Sequence, residues 1–306
     1  MDRSAVTGAR RAVLGLAAAI GWLATYHGAF AYTATGDRQF VTTLVLPQLT
    51  PGDEVYLNYL MQPLNGSGPG TANRTSDWTV TYLKTITEDF GISVEETYTR
   101  NDLVGGGSNY GWQNLDGALK YVAYNNPDHE FITTLGLDRE TGGTGAVGVG
   151  ASPSGATTPQ VFFGKGFGDL DIGYLRPLAV TGFGAVQFAD TAPRPDLFLS
   201  GFVIEYSIPY LQSKVQSFDL PDIVRNLTPI TEISLSSPAG RSYGQRSTAL
   251  FAPGVSYAGE GWEFGVEALV PASRATGSGV GVTAQLTIAL DFLFPETIGK
   301  PLFSSP

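Results

Sequence analysis

The sequence contains no cysteine. Disulfides, thiolate catalysis and zinc–thiolate centres are therefore excluded. Histidine is nearly absent, and His129 is the only one outside the N-terminal leader described below. Positive charge is also short: 18 Lys and Arg stand against 28 Asp and Glu, a formal net charge of −10. Such a balance argues against nucleic acid as a partner, because its binders concentrate Lys and Arg on one face. Past the leader there is no run of 18 apolar residues, which rules out a helical membrane protein. What the chain does have is glycine, 39 residues of it, with frequent Thr and Tyr. This is a β-sheet composition.

Residues 1–31 read as a secretory signal peptide: Arg10 and Arg11, an apolar run from Ala12 to Ala24, then Ala29-Phe30-Ala31 as the cleavage site. The apolar run is shorter than the roughly 20 residues a spanning helix needs. Cleavage would make Tyr32 the first mature residue and leave a chain more acidic than its precursor.

The stretch GVGVTAQLTIALDF, 279–292, alternates between apolar and small or polar side chains. A period of two means a strand with two different faces. Twelve such segments are predicted, at about 53–62, 76–86, 90–99, 114–125, 129–138, 159–165, 176–189, 196–208, 227–237, 247–257, 260–270 and 278–294. Their connectors alternate. Long, polar links (63–75, 100–113, 139–158, 238–246) follow odd strands, whereas even strands are followed mostly by tight ones such as Thr87-Glu88-Asp89 and Asn126-Pro127-Asp128. Two even links are longer, 164–176 and 209–226, and the second has room for a short helix.

A soluble β-sandwich would also show short strands with turn signals. The export signal, the connector alternation and aromatics near strand ends (Trp78, Tyr82, Tyr98, Tyr121, Phe131, Tyr257, Trp262) favour lipid, since such rings settle at bilayer interfaces. The expected fold is an all-β, closed antiparallel transmembrane β-barrel of about 12 strands, with short periplasmic turns and longer extracellular loops. The expected organisation is 1–31 signal peptide, 32–52 N-terminal lead-in, 53–294 barrel and 295–306 C-terminal tail. Unpaired edges in hydrocarbon cost several kcal/mol per backbone group, so the first and last strands should pair.

The chain resembles Gram-negative outer-membrane barrel families in its signal ending, in its paired strands with alternating connectors, and in an aromatic-rich last strand running to Phe292-Leu293-Phe294. Such families often end on a terminal aromatic that the barrel-assembly machinery recognises; here PETIGKPLFSSP follows it. More narrowly, ITEDFGISV (86–94), HEFITTLGL (129–137) and RPLAVTG (176–182) are similar in style to transporter-like barrels of phenol-degradation (MetA-pathway) loci. That resemblance implies the fold, a transport role, and as partners outer-membrane lipids and lipopolysaccharide, the assembly machinery and a small-molecule solute.

Charged residues belong on the water side of such a wall. The inward parity predicts a lumen lined by Glu54, Asn58, Lys120, Glu130, Glu205, Glu232, Glu263, Glu267, Gln285 and Asp291. Carboxylates dominate this set, and rings of Asp and Glu favour cations. A closed barrel also needs a polar interior for structural reasons alone, and narrow barrels fill with side chains.

The expected function is passive passage of small molecules, with a mild cation preference or for small hydrophobic compounds; the alternatives are a non-conducting structural barrel and a lipid-acting enzyme, and the enzymatic readings are weaker. Outer-membrane phospholipases carry His and Ser two residues apart on one strand face, but the residue two after His129 is Phe131. Glu95 and Glu96 are strand neighbours pointing to opposite faces and cannot share a substrate. Asp169 and Asp171 lack the ligand spacing of a calcium loop, and FFGKGFGDL is no phosphate loop. No catalytic residue, metal or cofactor is expected.

Overall fold

The computed structural model describes residues 33–64 and 71–303. The expected signal peptide lies outside the described residues. Residues 33–52 begin with a small hairpin, β1 (Thr33–Thr35) paired with β2 (Arg38–Phe40), turned by Gly36 at φ +61°. A Cβ on Gly36 would sit 2.3 Å from the Pro127 carbonyl oxygen, so only glycine permits this approach.

The wall follows: β3 (Glu54–Met61), β4 (Ala72–Thr85), β5 (Phe90–Leu103), β6 (Ser108–Trp112), β7 (Leu115–Asn126), β8 (Phe131–Thr141), β9 (Ala156–Gly166), β10 (Leu178–Ala189), β11 (Leu197–Tyr206), β12 (Leu227–Pro238), β13 (Thr248–Gly259), β14 (Trp262–Pro271) and β15 (Gly281–Ala289). Every neighbouring pair is antiparallel, and β15 pairs with β3. β6 and β7 both pair with β5 and act as one interrupted strand, so the ring closes on twelve. All twelve predicted segments correspond to wall strands, and the first pairs with the last.

Alternation sorts the two faces. On β14, Glu263, Gly265, Glu267 and Leu269 are buried inside, while Trp262 and Phe264 are exposed on the outside. Aromatic rings form an outer ladder across the extracellular ends of β3 to β6: Tyr59, Trp78, Tyr98 and Trp112 follow one another with centroids 5.4, 6.5 and 5.1 Å apart. At the other end Tyr257 stacks on Trp262 at 5.6 Å. Two belts with an apolar band between them are what a bilayer demands. The link 207–226 holds the short helical turns Ile208–Tyr210, Leu211–Val215 and Asp222–Arg225.

Two predicted boundaries are corrected. The last strand stops at Ala289, opposite Glu54, the first residue of β3; beyond it no partner strand exists, and Leu290–Leu293 coils into a helical turn. Asp291 therefore lies within that turn, accepting from the Phe292 amide at 2.9 Å, instead of lining the wall. The fifth strand starts at Phe131, because the turn at Pro127–His129 extends to Glu130, which closes it in a left-handed conformation, φ +46°. Glu130 is a residue of the periplasmic mouth.

Candidate functional site

The lumen is not empty. After β2 the chain runs back through the barrel along residues 41–52, and Leu44, Leu46 and Leu49 are buried there. This segment has little backbone pairing of its own, so its amides need acceptors. The wall supplies them as carboxylates. Glu205 Oε2 accepts from Val41 N at 3.1 Å, and Glu263 Oε2 from Thr42 N at 3.3 Å. Glu232 alone accepts from three successive amides, Leu44, Val45 and Leu46. Gln285 Nε2 donates to Thr43 O at 3.0 Å, Asn58 Nδ2 to Leu44 O at 3.2 Å, and Lys120 Nζ to Gln48 O.

The plug folds on itself in the middle: Thr43 Oγ1 donates to Leu46 O at 2.6 Å, and the Gln48 amide bonds both backbone groups of Thr43. Its leucines sit over inward-facing glycines. A Cβ on Gly164 would stand 2.8 Å from Leu49, one on Gly201 2.6 Å from Leu46, and one on Gly265 2.7 Å from Leu44. The missing side chains are the sockets that let a second layer of chain pass inside a narrow barrel.

A lock holds the hairpin at the periplasmic mouth. Arg38 is fully buried. Its Nε lies 3.2 Å from Glu130 Oε2, its terminal nitrogens donate to the carbonyls of Pro177 (3.0 Å), Leu178 (3.1 Å) and Arg176, and its guanidinium lies 4.1 Å over the Tyr210 ring. Tyr210 Oη donates to Glu130 Oε1 at 2.9 Å. Burial, and then this bond to a carboxylate, push the Tyr210 hydroxyl up to about 12.

On the extracellular side of the plug a cavity of about 370 Å³ remains. Its floor is Leu44, Val45, Leu46 and Gln48, and its walls carry Asp77, Glu95, Asp116 and Asp138 with the single cation Lys120. It adjoins a vestibule of about 460 Å³ that shares Asp77 and Thr97. The loop over the vestibule is tied down where Asn101 and Gln113 donate to Val149 O at 3.2 and 3.3 Å. On the periplasmic side a cavity of about 200 Å³ is lined in part by Thr50, Asp53, Glu54 and Asp291.

The predicted lining residues therefore separate into groups. Glu205, Glu232, Glu263, Gln285 and Asn58 hold the plug; Lys120 reaches both plug and cavity; Glu54 and Asp291 face the periplasmic cavity; Glu130 belongs to the lock. Glu267 lies fully buried on the lumen face with its carboxyl against that of Glu232. Sequence reasoning missed Asp77, Glu95, Asp116 and Asp138 as lining residues, although each has the inward parity of its strand. His129 is exposed at the periplasmic rim, 3.3 Å from Asp169, whose carboxyl is held below the usual range chiefly by Lys165 and then by His129.

No protein-family model matches the sequence, and no curated protein does. Among solved structures the chain is similar to the COG4313 outer membrane channel from Pseudomonas putida F1, with 11% identity over 81% of this chain and 99% of that one, at a TM-score of 0.53. It also matches the KdgM porin (13% identity, 77% of this chain and 98% of that one, TM-score 0.46) and LpxR from Salmonella typhimurium (10%, 77% and 99%, TM-score 0.43). What the first of these supports is the fold, a closed β-barrel of the outer membrane.

Proposed function

We propose that the chain is an outer-membrane channel for passive passage of small molecules, held closed in this state by its own residues 33–52, and non-enzymatic. The observation that carries this reading is the pair of cavities on opposite sides of a plug that touches the wall through side chains and ring contacts, with no continuous sheet binding it in place. A segment held by side-chain acceptors can leave without unfolding the barrel. Carboxylates outnumber the one lysine in the extracellular cavity, which favours a mild cation preference among solutes. The floor of Leu44, Val45 and Leu46 favours a second solute class, small hydrophobic compounds, in line with the resemblance to phenol-degradation barrels. Assembly would read a signal placed before the tail, since Phe294 is followed by further chain.

The test is conductance in planar bilayers. The protein beginning at Tyr32 is expected to give rare or no openings, and a version lacking 33–50 a steady conductance with potassium preferred over chloride. A plugless barrel that is folded by heat-modifiable gel mobility yet passes no current would overturn the reading, and clear anion selectivity would overturn the cation preference.

A further inference from the structure

Lys120 is the one cation among the described residues that line the extracellular cavity, whose walls also carry Asp77, Glu95, Asp116 and Asp138. Its ammonium is bonded to none of these acids. It donates to the plug carbonyl Gln48 O, lies 4.7 Å over the Phe162 ring, and forms no ion pair among the described residues. Asp138 has no ion pair there either.

The wall accounts for this arrangement. Lys120 stands in register with Gly91 of β5 on one side and Gly136 of β8 on the other, so neither register neighbour carries a side chain. The plug fills the space at Gly91, where a Cβ would stand 2.6 Å from Pro51, and Phe162 fills the space at Gly136, at 3.0 Å. The lysine arm is thus confined between a ring of the wall and the plug. Asp138, two residues beyond Gly136 and of the same inward parity, is the diagonal neighbour of Lys120 across the β7–β8 pair. Such neighbours are roughly 7–8 Å apart, within reach of a long side chain. Of the carboxylates, Asp138 acts on Lys120 most strongly, ahead of Glu54 and Glu95.

When the plug departs, Gln48 O departs with it, and an ammonium left in the wall without an acceptor is costly. We propose that Lys120 exchanges partners as the plug moves: Gln48 O holds it in the closed barrel, and Asp138 holds it in the open one. The proposal rests on the reading of a plug that leaves a standing barrel, and it gives that reading a regulated filter. In the open lumen the pair cancels one carboxylate, so the preference for cations is weaker than the acids alone would set. The new pair also offsets part of the cost of releasing the plug.

A double-mutant cycle of K120Q and D138N tests the exchange in two proteins, the one beginning at Tyr32 and the version lacking 33–50. Urea unfolding in lipid vesicles supplies the equilibrium constants. Without the plug the two substitutions should be coupled by about threefold, the size of a solvated ion pair, whereas in the plugged protein they should act independently. Conductance supplies the second readout. In the plugless barrel K120Q should raise the preference for potassium over chloride about threefold, because Asp138 is then unopposed. Independent effects in the plugless barrel, or equal coupling in both proteins, would overturn the exchange. An unchanged ion preference in K120Q would overturn its role in the filter. Coupling confined to a plugless barrel that passes no current would support the exchange and count against the channel reading alone, so the two failures are told apart.

Discussion

The two sides of this barrel present the same kind of side chain to the lumen and put it to different uses. On β11, β12 and β14 the inward carboxylates Glu205, Glu232 and Glu263 are fully buried and accept hydrogen bonds from the plug's backbone. On β4, β5, β7 and β8 the carboxylates of Asp77, Glu95, Asp116 and Asp138 line an unfilled cavity. Parity and residue type are alike in both groups; what differs is whether a second layer of chain lies against them. An acidic lumen face is thus not by itself a selectivity device. A carboxylate there is equally suited to receive the amides of an internal segment that has no strand partner.

The comparison can be broken first at the lock. Arg38→Met removes the buried partner of Glu130 and the donor to three carbonyls, a loss of about 3–5 kcal/mol by the measure of other broken buried pairs. That loss should fall on the plug and spare the wall. Limited proteolysis within 33–52 is expected to become rapid while heat-modifiable mobility persists; a plug that stays protected would show that Arg38 does not hold it. Glu232→Gln is the next step down. It keeps the shape but removes the charge and one acceptor oxygen, at about 1–3 kcal/mol for amides left unmet. Hydrogen exchange at 44–46 should quicken strongly, whereas the same change at Glu95, which touches no plug amide, should leave exchange there unaltered.

The cavity group is tested by permeation. In the plugless barrel, D77N and D116N together should lower the preference for potassium over chloride several-fold, with stability nearly unchanged. If the preference persists, it resides in the carboxylates that the plug normally covers.

These contrasts also mark what the sequence could reveal. The wall was legible because alternation with a period of two survives along most strands, interrupted by register shifts at Ala72/Arg74 and Val122/Tyr124, and because turn chemistry such as Asn126-Pro127-Asp128 separates short links from long ones. The plug was not. Residues 41–52 make neither a strand nor a helix, so they carry no periodic signal, and their acceptors lie more than 160 positions away at Glu205, Glu232 and Glu263. The only local trace is glycine at the inward positions 164, 201 and 265, and in a sequence rich in glycine that trace cannot be told from a turn or a bulge. Asp291 shows a different limit: the apolar alternation continues past Ala289, but β3 does not reach far enough to pair with it. Alternation records which face a residue would take, while pairing decides whether the strand exists at all.

The smallest expected effect concerns the outside of the wall. Glu96 shares the outward face of β5 with Ile92, Val94 and Tyr98 and stands in register with Val80, which in turn faces Leu57. Its neighbour Glu95 points inward and accepts from Thr81 Oγ1 at 2.8 Å. A carboxylate among lipid-facing residues is disfavoured, but Glu96 is only two residues from Tyr98 in the extracellular aromatic ladder, close to where headgroups and water begin. The cost at that depth is small for Glu, so Glu96→Leu should stabilise the barrel by about 1 kcal/mol or less. Reversible urea unfolding in lipid vesicles measures it, and Glu95→Leu, which removes a partner of Thr81, supplies the opposite sign. A Glu96→Leu barrel less stable than the parent would mean that this carboxylate has a partner on the outer face, and that lipid does not reach the wall between β4 and β7.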